Sequence, residues 1–486
     1  MYLARKKNPE QLKHLSPGEF GKLLGIDRIP EAKCLRKKIK EICLQKKAEQ
    51  WNMSLANYWT KQEENEFYYI DGHVQVYSGN KAKLGKKHIA RQKLCLPGIQ
   101  EFWINNREGL PYFYVTGQVN EKLLEMLSEE IIPFLLNKMP CKYSQKQLEA
   151  DTDLPRFTIV FDREGYSPAY FGKLWEEYRV AVITYRKNVK DSWEENDFTN
   201  YKIEIDGVKT QMLLSEKQIE LDGNVMREVR RLAKDGHQTS IITNNKKLST
   251  EMIAIYMFSR WTQENFFKYL RQEYDFDTMA QYVVEQLDSN FKVVNPEYNN
   301  LSYKLKKLRE KINRRKAQLF TLCEKNVEDN LDNTPPNIKK QSEVREELKI
   351  FLDQEKDFVG QRQGIDYKIR IEDMPEHLRY TRLNIESKRF LNIIKTICYR
   401  AETSFANLLS EHYRKHKNEK RALVKSIIKA NGDLIVDYEN KTLTVKLYTL
   451  SNPRMNLAVL RICKLLNQTE TIFPGTQLLL KYEFAT

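Results

Sequence analysis

The stretch Met252 to Asp277, MIAIYMFSRWTQENFFKYLRQEYDFD, constrains the chain most. Its apolar residues Met257, Trp261, Phe266, Phe267 and Leu270 surround a polar stripe of Tyr256, Arg260, Glu264 and Arg271. A repeat near 3.6 residues predicts one long amphipathic helix with that stripe along one face. A carboxylate with an arginine one turn before it and another two turns after it reads in two ways. It is a surface ion-pair ladder, or a metal-binding carboxylate among phosphate-binding guanidiniums.

Two other segments bear on that choice. Phe67 to Ile70 is a continuous apolar and aromatic run that reaches Asp71-Gly72, and Arg156-Phe-Thr-Ile-Val-Phe-Asp162 repeats the pattern. Such runs mark strands covered on both faces. An aspartate at the carboxyl end of a central strand lies where open α/β sheets place ligands. Asp71, Asp162 and Glu264 thus become candidate partners. Phosphodiester chemistry needs charge compensation on attacking and leaving oxygens, which two Mg²⁺ ions about 4 Å apart supply. Mg²⁺ takes hard oxygen ligands, so convergent carboxylates suit it.

Charge supports a polyanionic partner. The 486 residues carry a net charge of +15, and 41% are hydrophobic, too many for a disordered chain. No apolar run approaches the roughly 18 residues of a membrane span. The charged start MYLARKKNPEQ does not resemble a signal peptide. Seven scattered cysteines without a CxxC predict reduced thiols in a cytoplasmic protein and no zinc site. His412 and His416, four apart in a run of Lys and Arg, read as a solvated face.

Organisation follows the composition. Residues 1–62 read as a helical segment, with a capping box at Ser16-Pro17-Gly18-Glu19 and then a basic helix. The pair suits a DNA-binding helix-turn-helix and a helical cap equally. Residues 63–290 form the α/β core; its segment 80–93 is a basic loop, and 190–248 a β-rich insertion in which VMREVRRLAKDG reads as a short helix. Within 291–384, Leu301, Leu305, Leu308, Ile312, Leu319 and Leu322 predict a coiled-coil-like arm, packed on its own domain or zipped to a second chain. Residues 385–486 read as a small α+β module.

These motifs together resemble a DDE-type insertion-sequence transposase. The resemblance rests on FYYIDGHVQVYSG, RFTIVFDREGYSP and MFSRWTQENFFKYLRQE, with MREVRRLAKDGHQTSIITNN and the C-terminal SNPRMNLAVLRICKLLNQTETIFPGTQLLLKY, and covers nearly the whole chain. It implies an RNase H-like (retroviral-integrase) mixed sheet with a β-rich insertion before the Glu helix. It also implies that Asp71, Asp162 and Glu264 bind two Mg²⁺, for which Mn²⁺ substitutes. The implied activity is metal-dependent cleavage at terminal inverted repeats and transfer of the 3′-hydroxyl into target DNA. The implied state is at least a dimer on double-stranded DNA, in the cytoplasm at the nucleoid.

Part of that family carries Tyr-x2-Arg-x3-Glu-x6-Lys. Here Arg260-x3-Glu264 fits, Arg271 replaces the Lys, and Tyr256 lies one residue upstream of the strict position, Met257. Trp261 is a candidate for stacking on a flipped base. Lys83, Lys86, Lys87 and Arg91 are candidate DNA contacts, as is the stretch Lys304 to Lys316. Only 15 residues precede SPGEFGKLLGIDRIPEAKCLRKKI, where larger relatives carry more. The alternative is therefore a truncated, non-catalytic DNA-binding remnant acting as a repressor. A cellular RNase H-like nuclease is the third reading.

Overall fold

The computed structural model describes residues 1–14, 28–63, 65–89, 92–119, 121–205, 208–278, 284–287, 289–328, 335–376, 379–410 and 417–485. The Ser16–Glu19 capping box, Arg91, His412 and His416 lie outside them. By packing, the chain divides into two units. One comprises Met1–Ser78, Gly85–Tyr282 and Asn384–Thr486; the other comprises Gly79–Leu84 and Val283–Leu383.

The first unit is built on a ten-stranded mixed sheet. Its strands are β1 (Phe67–Val76), β2 (Lys86–Ile89), β3 (Leu94–Asn105), β4 (Pro111–Gln118), β5 (Phe157–Phe161), β6 (Val180–Tyr185), β7 (Thr199–Ile205), β8 (Val208–Leu221), β9 (Asn224–Leu232) and β10 (Gln238–Thr243). β3 is antiparallel to β1, and β4 and β2 are antiparallel to β3. β1, β5 and β6 run parallel. β10, β9, β8 and β7 then extend the sheet beyond β6 by antiparallel pairing.

Alternation along the central strands sets two faces. Tyr68 and Ile70 of β1, with Ile159 and Phe161 of β5, bury into one core with Phe102, Ile104 and Phe171. Tyr69 and Val160 point to the opposite face, where Ile253, Ala254 and Met257 cover them. Farther along that face, Trp103 and Tyr114 stack at 4.4 Å and meet Phe266 and Phe267.

Several local readings change once partners are present. The basic segment expected as a loop contains β2, paired to the first residues of β3. VMREVRRLAKDG is no helix: Asn224–Leu232 is strand β9, bonded to β8 and β10. Met226, Val229 and Leu232 recur every three residues and so imitate a helical face. In the sheet Met226 and Val229 enter the cores on opposite faces. The charges between them are buried in pairs: Glu228 accepts from Arg230, Arg186 and Ser240, and Arg230 also holds Asp191 and covers Trp193.

Helix α1 (Ala32–Cys43) and helix α2 (Ala48–Gln62) divide the basic helix expected after residue 30. The break holds Lys46 in a left-handed conformation. α2 buries Ala48, Asn52, Ala56 and Thr60 at four-residue spacing, and Asn52 donates to the Tyr114 carbonyl. This face is committed to the sheet. α3 (Pro168–Tyr178) follows β5, with Ser167 capping it.

The helix expected over Met252–Asp277 is two helices, α4 (Thr250–Phe258) and α5 (Trp261–Tyr274). Between them the backbone tightens: Thr262 and Gln263 donate to Ser259 and Arg260, three residues back. The Ser259 hydroxyl donates to the Ile255 carbonyl and the Thr262 hydroxyl to the Ser259 carbonyl, competing with the α-helical ladder. Thr262 also donates to the Arg107 carbonyl in the β3–β4 turn. Gly109 closes that turn at φ +79°, and a Cβ there would stand 3.1 Å from the Thr262 carbonyl oxygen.

The second unit contains α6 (Pro296–Glu328) and α7 (Pro335–Gln363). Leu301, Leu305, Leu308 and Ile312 are buried. Arg309 pairs with Glu355 and Arg315 with Glu347, so the two helices run antiparallel. The leucine stripe thus meets a helix of its own chain. The first unit ends with α8 (Glu386–Ser410), α9 (Lys417–Ile428), α10 (Pro453–Asn467) and a three-stranded sheet of Gly432–Asp437, Thr442–Leu447 and Leu479–Phe484. Among the described residues, no helix is long and apolar enough to cross a membrane. All seven cysteines are free thiols.

Candidate active site

The parallel register of β1 and β5 aligns Tyr69 with Val160 and Ile70 with Phe161. One step further brings Asp71 level with Asp162. Both side chains continue the Tyr69/Val160 face, the one covered by α4 and α5. β5 ends there, and the Asp162 carboxylate caps the next turn by accepting from the Arg163 N–H at 2.7 Å. Asp71 accepts from the Gly72 N–H at 3.0 Å.

Glu264 stands in the first turn of α5. Arg260, at the break before that helix, links all three acids. Its Nη1 lies 3.7 Å from Asp71 Oδ1, and its Nη2 lies 3.9 Å from Asp162 Oδ2 and 3.4 Å from Glu264 Oε1. Residues separated by almost two hundred positions therefore surround one guanidinium. Three carboxylates against one cation leave the cluster net negative. The Asp71 carboxyl is pushed up to about 6, first by burial and also by Glu264 and Asp162; Arg260 and the Gly72 N–H oppose the rise.

The donor set suits a divalent cation in kind, since all three groups present hard oxygens to one shared centre. With the side chains as they stand, no three acidic, histidine or cysteine groups among the described residues are close enough to hold one ion. The guanidinium occupies the middle.

The remaining residues singled out from the sequence are dispersed. Trp261 opens α5 and is 67% exposed, so it is no core tryptophan. Arg271 is half-buried in the last turn of α5, seven residues beyond Glu264. Tyr256 belongs to α4: its ring stacks on Phe67 at 3.8 Å beneath the Arg107 guanidinium. Phe67 precedes Asp71 by about 13 Å of extended strand, so Tyr256 is not brought to the carboxylates. Lys87 is bonded to Gln100 and Glu164, both at 2.8 Å, while Lys86 is exposed on β2. Lys83 belongs to the second unit, where its backbone pairs with Thr381.

The sequence reading missed the anchorage at the far end of α5. His73, two residues beyond Asp71 on the same face, bonds Asp277 at 2.8 Å and stacks on Phe267. Lys388 and Lys395, buried on α8, donate to the carbonyls of Phe276, Thr278 and Asp275 just beyond the helix. Lysine N–H donors there satisfy carbonyls left open at the helix C-terminus. Burial, then Lys388, pushes the Lys395 ammonium down to about 7. Their seven-residue spacing within an apolar helix was the available signal.

The fold thus gathers three acids at one face of a large mixed sheet. A family model described as a transposase protein matches residues 1–486, and the chain belongs to that transposase family. No curated protein and no solved structure matches it.

Proposed function

We propose that this transposase is of the DDE type, with Asp71, Asp162 and Glu264 as its metal-binding triad. The observation that carries the reading is the convergence of the three acids on Arg260. The strand order β4-β3-β1-β5-β6, with β3 antiparallel to its neighbours and β1, β5 and β6 parallel, supports an RNase H-like core. The strands β7–β10 lie between β6 and the Glu264 helix in the chain, as a β-rich insertion of this kind requires.

The triad would hold two Mg²⁺ ions, which when bound would activate a water nucleophile at neutral pH and stabilise the attacking and leaving oxygens at a phosphodiester. The chain's own contribution is placement. β1 and β5 hold two acids level on one face, and α5 brings the third. His73, Lys388 and Lys395 fix the other end of α5 and so its axis. Exposed Trp261 and half-buried Arg271 lie on the same helix and would contact double-stranded DNA at the element's terminal repeats. Joining the 3′-hydroxyl to target DNA would use the same centre, with the protein at least dimeric on the DNA.

Purified protein with Mg²⁺ should nick DNA bearing the element's ends, and Asp162→Asn should abolish nicking. Equal nicking by both proteins would remove Asp162 from the mechanism. Salt-dependent binding without cleavage under any metal would favour the repressor remnant instead.

A further inference from the structure

Arg260 makes three contacts, and only the one to Glu264, at 3.4 Å, comes within hydrogen-bond range. Its distances to the acids, 3.4 to 3.9 Å, exceed the roughly 2.7–2.9 Å of a charge-assisted hydrogen bond. No carboxylate is gripped by both arms of the guanidinium. Its Nε is buried and has no acceptor. The side chain is nonetheless only 12% exposed, so most of its hydration has been given up without full replacement. Fully buried Arg230, by contrast, reaches Glu228 and Asp191, both at 2.7 Å.

The helical ladder is interrupted at this position. Arg260 lies where α4 gives way to α5, in a turn of three-residue hydrogen bonds. The acids themselves are held on β1, at the end of β5 and in the first turn of α5. The guanidinium is therefore the one buried cation of the cluster, and its contacts to the acids are all long.

We infer that Arg260 is the resident cation of the triad, holding the three carboxylates together until a divalent ion exchanges for its guanidinium. The inference rests on the reading of the triad as a metal site. It adds that metal binding and the inward position of Arg260 exclude one another. Arg260 is then a positioning residue in the free protein, and the metal must displace it.

The full chain without DNA is titrated with Mn²⁺ and binding followed by calorimetry, for wild type, Arg260→Gln and Asp162→Asn. Removing the competing cation should tighten Mn²⁺ binding at least tenfold in Arg260→Gln, while Asp162→Asn weakens it. Equal or weaker binding by Arg260→Gln overturns the exchange. If Asp162→Asn still loses affinity in that case, the metal-site reading stands alone. No Mn²⁺ binding by either wild type or Arg260→Gln would overturn both.

A second measurement needs no variant. In the wild-type protein, modification of Arg260 by phenylglyoxal, read by peptide mass spectrometry, should be slow in chelator and faster once Mn²⁺ is bound. Unchanged or slower modification with bound Mn²⁺ would also overturn the exchange.

Discussion

Replacing Asp71 by Asn should stabilise the metal-free protein even as it removes a proposed ligand. In the folded chain this carboxyl holds its proton to about pH 6, against 3.8 for the ordinary side chain. Between those values the folded state binds more protons than the unfolded one, so stability falls as pH rises through the window. Below it both states are protonated and the penalty is absent. A shift of about two units at about 1.4 kcal/mol each sets a ceiling near 3 kcal/mol. The side chain keeps 21% of its surface, and solvent screening there reduces the gain to about 1–2 kcal/mol. Asn has the same shape and its amide oxygen can still accept the Gly72 N–H. Urea unfolding in chelator, followed by tryptophan fluorescence, reads the difference. Asp71→Asn should be the more stable protein near pH 7.5, and the two curves should converge towards about pH 3.5. Added Mg²⁺ should narrow or reverse the order, because only wild type keeps all three proposed ligands. A variant equal to or weaker than wild type near pH 7.5 in chelator would refute the account of Asp71.

Gly98→Ala would place a Cβ 2.2 Å from the Gln75 carbonyl oxygen on β1; backbone cannot yield as a side chain does, and a loss of about 3 kcal/mol or more in denaturant titration is expected. Glu228→Ala leaves Arg230 buried beside a lost partner and should cost about 3–5 kcal/mol, whereas charge pairs on the surface, such as Lys217–Asp197, should cost less than about 1. Lys395 is neutral in the folded state above about pH 7 but charged in the unfolded state up to its ordinary range. Wild-type stability should therefore rise with pH from about 7 upward, and Lys395→Met should flatten that rise in thermal melts at a series of pH values.

Much of the placement of the candidate site was legible before any packing was known. A run such as Phe-Tyr-Tyr-Ile-Asp or Phe-Thr-Ile-Val-Phe-Asp has few ways to exist in water except as a strand covered on both sides. Two such runs followed by aspartate define where carboxylates leave a sheet. The leucines of Leu301 to Ile312 likewise announced a buried helical stripe. Local pattern failed where a second element supplied the deciding partner. Met226, Val229 and Leu232 satisfy a helix as well as a strand until β8 and β10 bond to them. The basic residues near Lys86 look like a solvated loop until β3 offers an edge. Glu228 and Arg230 look like surface charge until they are found paired side by side in the core.

The Met252–Asp277 stretch divides the two kinds of knowledge. By itself the sequence determined that Arg260 and Glu264 stand one helical turn apart, because i and i+4 spacing is a property of the backbone alone. Tertiary structure decided that the helix breaks at Ser259–Arg260, since the hydroxyls of Ser259 and Thr262 and the turn closed by Gly109 meet there. It also decided that Tyr256 packs on Phe67, apart from the carboxylates. The level placement of Asp71 and Asp162 came from the register of β1 on β5, which depends on both strands at once. That register put the Arg260 guanidinium among three acids, and a charge arrangement of this kind exists only where distant segments meet.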